Sequence, residues 1–155
     1  MFWLSITEQC ADGDVKWQKD AGKVDGTPFV FWNNIWSPIC GTYYWDNDYG
    51  ALAVCRKLGY TVGHTTKQRR KYDVKSFKIG KCWRNELLES CTGGCNDYSL
   101  GGKCNGKNGD NCDGNAGEIS VTIECKNPTD PDLVKSSSCD GKRLAYFFKS
   151  WLILI

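Results

Sequence analysis

A chain of 155 residues with 10 cysteines, one histidine and a formal net charge of +2 suits a single domain. So small a net charge gives no ground for nucleic-acid binding, and ten cysteines exceed ordinary cytosolic usage. A zinc protein needs close ligand pairs; Cys91-Thr-Gly-Gly-Cys95 has no second pair at a matching distance and His64 has no histidine neighbour, so the cysteines read as disulfides of an extracellular module.

Residues 1–23 are expected to form an N-terminal extension holding Cys10, with Trp17 as its apolar anchor. Met1-Phe-Trp-Leu-Ser-Ile lacks the basic start and small-residue cleavage site of a secretion signal, so the chain reads as part of a longer secreted or membrane-anchored protein. Phe29 to Cys40 holds two β-rich runs around Asn33-Asn34, residues that tolerate the positive φ of a tight hairpin turn. Pro38 lacks a ladder donor and predicts an edge or a bulge in the second strand.

The stretch from Asp46 to Tyr60 predicts the chain's one helix, Asp48–Leu58. Asp46 or Asp48 is the expected N-cap. Leu52, Cys55 and Leu58 recur on one face with Ala51 and Val54 at its flanks, and Gly59 supplies the left-handed stop. Cys55 on that face is expected to tether the helix to the core.

From Thr61 to Arg84, the cations Lys67, Arg69, Arg70, Lys71, Lys75, Lys78, Lys81 and Arg84 oppose only Asp73, and Val74, Phe77 and Ile79 suggest a strand near the end. Cys82 to Cys91 encloses enough chain for one helical turn closed by a local bridge. Thr92 to Asn115 is rich in Gly, Asn and Asp, punctuated by Cys95, Cys104 and Cys112, and reads as a long stapled loop. Glu118 to Cys125 alternates strictly, placing Ile119, Val121 and Ile123 on one face of a strand. Residues 127–155 then read as a stiff Pro-containing linker from Asn127 to Asp132 and an apolar tail. That tail, Leu144 to Ile155, is shorter than the roughly 20 residues of a membrane span and carries Lys149; it reads as a truncated span, a surface segment or a misassigned gene end.

The segment from about Val24 to Cys125 resembles the scavenger receptor cysteine-rich (SRCR) domain family. Ile35-Trp-Ser-Pro-Ile-Cys40 is similar to that family's first strand motif, and Ala51-Leu-Ala-Val-Cys-Arg-Lys-Leu-Gly-Tyr60 to its helix signature. Cys82, Glu86-Leu-Leu and Cys91 resemble its short bridged loop, and Ala116-Gly117 with the strand to Cys125 its closing motif. Tyr60 stands where the eight-cysteine subgroup has a cysteine, which places the chain nearer the six-cysteine subgroup. The resemblance implies an α+β fold in residues 24–126, a curved antiparallel sheet cradling one helix with long disulfide-stapled loops. It also implies the bridges Cys40–Cys112, Cys55–Cys125 and Cys82–Cys91. Of the remaining cysteines, Cys95 and Cys104 share the expanded loop and are expected to pair. Cys10 and Cys139 flank the domain, where chain ends often lie close, but the residues leave their pairing open.

Function is expected to be non-enzymatic. His64 is the only histidine and reads as a loop residue, and no Gly-x-Ser-x-Gly nucleophile motif occurs. Glu86 and Glu89 read as solvated or paired with Arg84. The family often holds calcium between two aspartates, at whose positions Gly41-Thr42 stand here. Asp46, Asp48, Asp113 and Glu118 are the remaining oxygen candidates, with Asp46 or Asp48 as helix cap the simpler role. Lys67, Arg69, Arg70, Lys71 and Lys75 are the expected ligand contacts, since lysine and arginine bind sulfate, phosphate or carboxylate. A solvated basic face is the plain alternative, and no aromatic pattern favours nucleic acid. The resemblance implies a recognition module of a scavenger-receptor-like protein, in innate immunity and endocytosis, taking polyanionic or protein ligands beside other domains of its parent. The alternatives are an accessory domain of a larger secreted protease or amine oxidase, and a structural adhesion or matrix module using the surface near Trp36, Trp45 and Trp83.

Overall fold

The computed structural model describes residues 9–74, 76–91 and 118–139. They form a small α+β domain with one five-stranded antiparallel sheet and one α-helix. The strands are β1 (Val15–Lys19), β2 (Gly26–Trp32), β3 (Ile35–Pro38), β4 (Tyr60–Tyr72) and β5 (Glu118–Pro128). The sheet order is β1-β2-β5-β4, with β3 paired to β2 off that path.

The β2–β3 hairpin turns as its sequence predicts. Asn33 and Asn34 adopt φ of 49° and 63°, and Trp32 faces Ile35 across the turn. Pro38 ends β3, where its missing amide removes no ladder bond.

Helix α1 runs Tyr49–Lys57 and stops at Gly59, whose φ is 90°. Its buried stripe is Ala51, Val54, Cys55 and Leu58, while Leu52 is only half-buried, so the apolar face is turned from the one expected around Leu52. Gly63 of β4 sets that rotation. A Cβ there would come within 2.6 Å of the Ala51 backbone, so the small-residue side of the helix lies against the strand. The Cys55–Cys125 disulfide ties α1 to β5 as expected.

The first part of the basic run, Lys67 to Lys71, lies on strand β4, where Val74, Phe77 and Ile79 had suggested a strand further on. Phe77 and Ile79 do enter the core, but Phe77 makes only an isolated bridge to Ile39. On β5, Val121 and Ile123 face the core as expected; Ser120 and Thr122 are also buried. The Ser120 hydroxyl donates to the Ile39 carbonyl at 2.7 Å and the Thr122 hydroxyl meets that of Thr66, which satisfies both polar groups away from water.

Both flanks of the expected domain belong to the fold. Part of the expected N-terminal extension is strand β1, and Trp17 is buried with its indole N–H donating to the Ile123 carbonyl at 3.2 Å. Residues 127–139 do not leave as a linker. Thr129 N–H donates to Gly59 (3.0 Å), Lys135 N–H to Leu58 (3.2 Å) and Ser138 N–H to Val15 (2.8 Å), while Ser136 accepts from Trp17 N–H (2.8 Å). Backbone groups that find partners on β1 and at the helix end hold this segment down despite its prolines. Cys10–Cys139 closes the two ends, and Cys82–Cys91 closes a loop with a 3-10 turn, Leu88–Ser90. Each bridge stabilises by roughly 2–4 kcal/mol. Cys40 is also disulfide-bonded; its expected partner Cys112 and the expected Cys95–Cys104 pair lie outside the described residues.

Candidate anion-binding cleft

The pleat of β4 sends successive side chains to opposite sides of the sheet, and this divides the basic run. Arg70 turns toward the β1–β2 connection, where its Nη2 and Nε donate to Asp20 Oδ2 at 3.0 and 3.2 Å. Nη2 also lies 3.8 Å from the buried Asp25 carboxylate. Arg70 is thus paired with two acids of the fold itself. Arg69 turns to the other side, where its guanidinium lies 5.1 Å from the centre of the Trp45 indole.

Trp45 sits in a 3-10 turn, Tyr44–Asp46, just before α1. Its ring rests on Gly41, where a Cβ would approach to 2.8 Å. Gly41 therefore has a packing role at one of the two positions where the resemblance would place aspartates. Between Thr65 and Arg69 the pairing with β5 slips, and Lys67 takes φ of 56° within this irregularity. Such bulges re-aim side chains. The outcome is a cleft of about 530 Å³ lined by Trp45, Asp46, Lys67, Arg69 and Lys81. Lys81 Nζ is 3.8 Å from Asp46 and 5.2 Å from the centre of the Trp83 ring. Three cations face one acid there, an arrangement that favours an anionic group entering the cleft.

Of the expected contacts, Lys67 and Arg69 come together in the cleft. Lys71 is exposed on β4 and does not line it, and Lys75 lies outside the described residues. Trp45 and Asp46 complete it from the turn before α1, and Lys81 from beyond β4. A tryptophan near the helix and a lysine in the basic run were visible in sequence, but no spacing joined them.

Of the calcium candidates, Asp46 and Asp48 lie among the described residues, and each faces a protein partner. Asp46 faces Lys81. Asp48 occupies the N-cap position, yet its own αR backbone, φ −90° and ψ −3°, differs from the extended conformation of a capping residue, and its carboxylate makes no cap bond. It reaches across to β4 instead. Oδ1 accepts from the Thr65 N–H at 2.8 Å and hydroxyl at 3.1 Å, and Oδ2 lies 3.0 Å from His64 Nδ1. Burial raises the Asp48 pKa, but the bonds from His64 and Thr65 outweigh it and hold the carboxyl below its ordinary value. Both candidates are thus satisfied by protein donors. Asp113 and the Glu118 side chain lie outside the described residues. Cys10, Asp14 and Cys139 cluster, but the two sulfurs are joined in a disulfide and offer no thiolate.

His64 belongs to a strand, contrary to its reading as a loop residue. Its Nδ1 and the Thr65 hydroxyl both engage Asp48, at Oδ2 and Oδ1 respectively. Glu86 accepts from the Trp83 N–H at 2.8 Å and Glu89 pairs with Lys57, in place of the expected Arg84. Of the three tryptophans suggested for an adhesion surface, Trp36 and Trp45 are half-buried and only Trp83 is well exposed.

No protein-family model, curated protein or solved structure matches the chain.

Proposed function

We propose that this is a non-enzymatic extracellular recognition module of the scavenger-receptor cysteine-rich kind, binding anionic ligands at the Trp45–Arg69 cleft. The observation that carries this reading is the convergence of Lys67, Arg69 and Lys81 beside one indole, with Arg69 seated on its face. Sulfate or carboxylate groups of a polyanion match a planar guanidinium and two ammonium groups without further chemistry. The sequence motifs of the helix and of the Cys82–Cys91 loop support the family assignment, as does the pairing Cys55–Cys125. Disulfide chemistry supports an extracellular setting, and no helix among the described residues is long and apolar enough to cross a membrane.

The test is binding to an immobilised sulfated polysaccharide. Arg69→Ala should weaken it by about tenfold, the loss of one charge-assisted contact of about 1.4 kcal/mol, and reduce its salt dependence. Equal binding by wild type and Arg69→Ala sinks this reading.

A further inference from the structure

Beside the cleft, the loop closed by Cys82–Cys91 holds features that anion recognition does not use. Trp83 and Leu87 are 55% and 69% exposed, although both are large and apolar. The loop is held firmly. The Leu88 side chain is buried at its base, the Glu86 N–H donates to the Trp83 carbonyl at 3.2 Å, and Asn47 Nδ2 donates to the Cys82 carbonyl at 2.9 Å. A bridge between residues only nine apart adds a covalent closure. The two side chains are therefore presented by a preformed element, which lowers the entropy lost on binding.

Among the described residues cations outnumber acids around this tip, Asp46 beside Lys81 being the one acid facing the cleft. Lys81 lies over the Trp83 ring, Arg84 is exposed next to it, and Lys67 and Arg69 stand across the adjoining cleft. The loop's acids are turned to internal partners, Glu86 to the Trp83 amide and Glu89 to Lys57. An apolar tip with cations behind it matches a layer whose interior is apolar and whose surface is anionic. Tryptophan settles at such interfaces because its ring is apolar and its N–H polar. A bilayer requires no complementary groove, whereas an acidic polypeptide would have to supply a concave counterpart to two projecting side chains.

We propose that the Cys82–Cys91 loop docks on an anionic lipid surface, with Trp83 and Leu87 entering the headgroup boundary and Lys81 and Arg84 contacting the headgroups. This goes beyond the cleft reading and does not depend on it.

The test is co-sedimentation of the whole chain with vesicles of phosphatidylcholine mixed with phosphatidylserine, beside vesicles of phosphatidylcholine alone. Wild type should bind the anionic vesicles, with tryptophan fluorescence quenched by bromine-labelled acyl chains. Trp83→Ala with Leu87→Ser should lower partitioning by at least roughly tenfold, since both apolar contacts are lost. These exposed substitutions should leave thermal unfolding and sulfated-polysaccharide binding as in wild type, while Arg69→Ala should weaken polysaccharide binding and retain vesicle binding. Trp83→Phe should retain binding but lose most of the quenching. Three outcomes overturn the proposal: no vesicle binding by wild type, equal binding by the double variant, or binding to polyglutamate but not to vesicles, which would assign the loop to an acidic protein.

Discussion

Arg69 and Trp45 lie 5.1 Å apart, guanidinium to ring centre, although 24 positions separate them by number. Arg70, the next residue, faces the opposite way into the carboxylates of Asp20 and Asp25. One pleat of one strand thus divides two neighbouring cations between the Trp45 cleft and the ion pairs of the fold.

Trp45 acts as a positioning residue for Arg69. Trp45→Ala should weaken sulfated-polysaccharide binding several-fold, while Trp45→Phe keeps an aromatic face and should recover part of it, the stacking being worth about 0.5–1 kcal/mol at an exposed site. Gly41→Ala should resemble Trp45→Ala, because its methyl would meet the ring at 2.8 Å. Affinity profiles of the three variants check the order.

Arg70→Ala should act on stability. It leaves Asp25, whose side chain is 8% exposed, without its cation, at a cost of about 1–3 kcal/mol. Asp25→Asn in the same chain should restore part of the loss. Denaturant midpoints of the single and double variants measure this, and polysaccharide affinity should change far less than in Arg69→Ala.

Tyr44 is fully buried and its hydroxyl has no hydrogen-bond partner among the described residues. Tyr44→Phe removes a desolvated polar group and should be neutral or stabilising by up to about 1 kcal/mol. Burial also pushes the phenol pKa up. A raised acid keeps its proton in the folded state while the unfolded chain releases it, so stability should fall as pH rises above about 10. Tyr44→Phe should flatten that alkaline limb in melts recorded across pH.

Asp48 gives the opposite limb. Its folded pKa is depressed, so the stability it contributes is present above the unfolded value, about 4, and is lost as pH falls through the folded value. Asp48→Asn should flatten unfolding midpoints in that acid range. Because the side chain is half-exposed, the change should stay below about 1 kcal/mol. Hydrogen exchange at the Thr65 amide should quicken in the variant, since Oδ1 is its acceptor.

Local chemistry made much of the fold legible. Asn33-Asn34 dictates a hairpin because asparagine accepts left-handed φ, and Gly59 ends the helix for a similar reason. The alternation of β5 placed Val121 and Ile123 in the core. The helix face was less legible, because Ala51 looks weakly apolar until Gly63 brings the strand against it. Asp48 was misread for a comparable reason: a carboxylate before a helix suits a cap, and only the neighbouring strand offers it the competing donors of Thr65 and His64.

By itself the sequence determined a cysteine-rich chain with its hairpin, its helix, its β5 strand and a cation-rich stretch, since turn propensity and periodicity are local properties. Tertiary structure decided which cations come together. Strand pleat and the pairing slip around Lys67 separate Arg69 from Arg70, and chain closure through Cys10–Cys139 draws both flanks into the sheet. These outcomes depend on contacts between residues far apart in the chain, which no local pattern encodes.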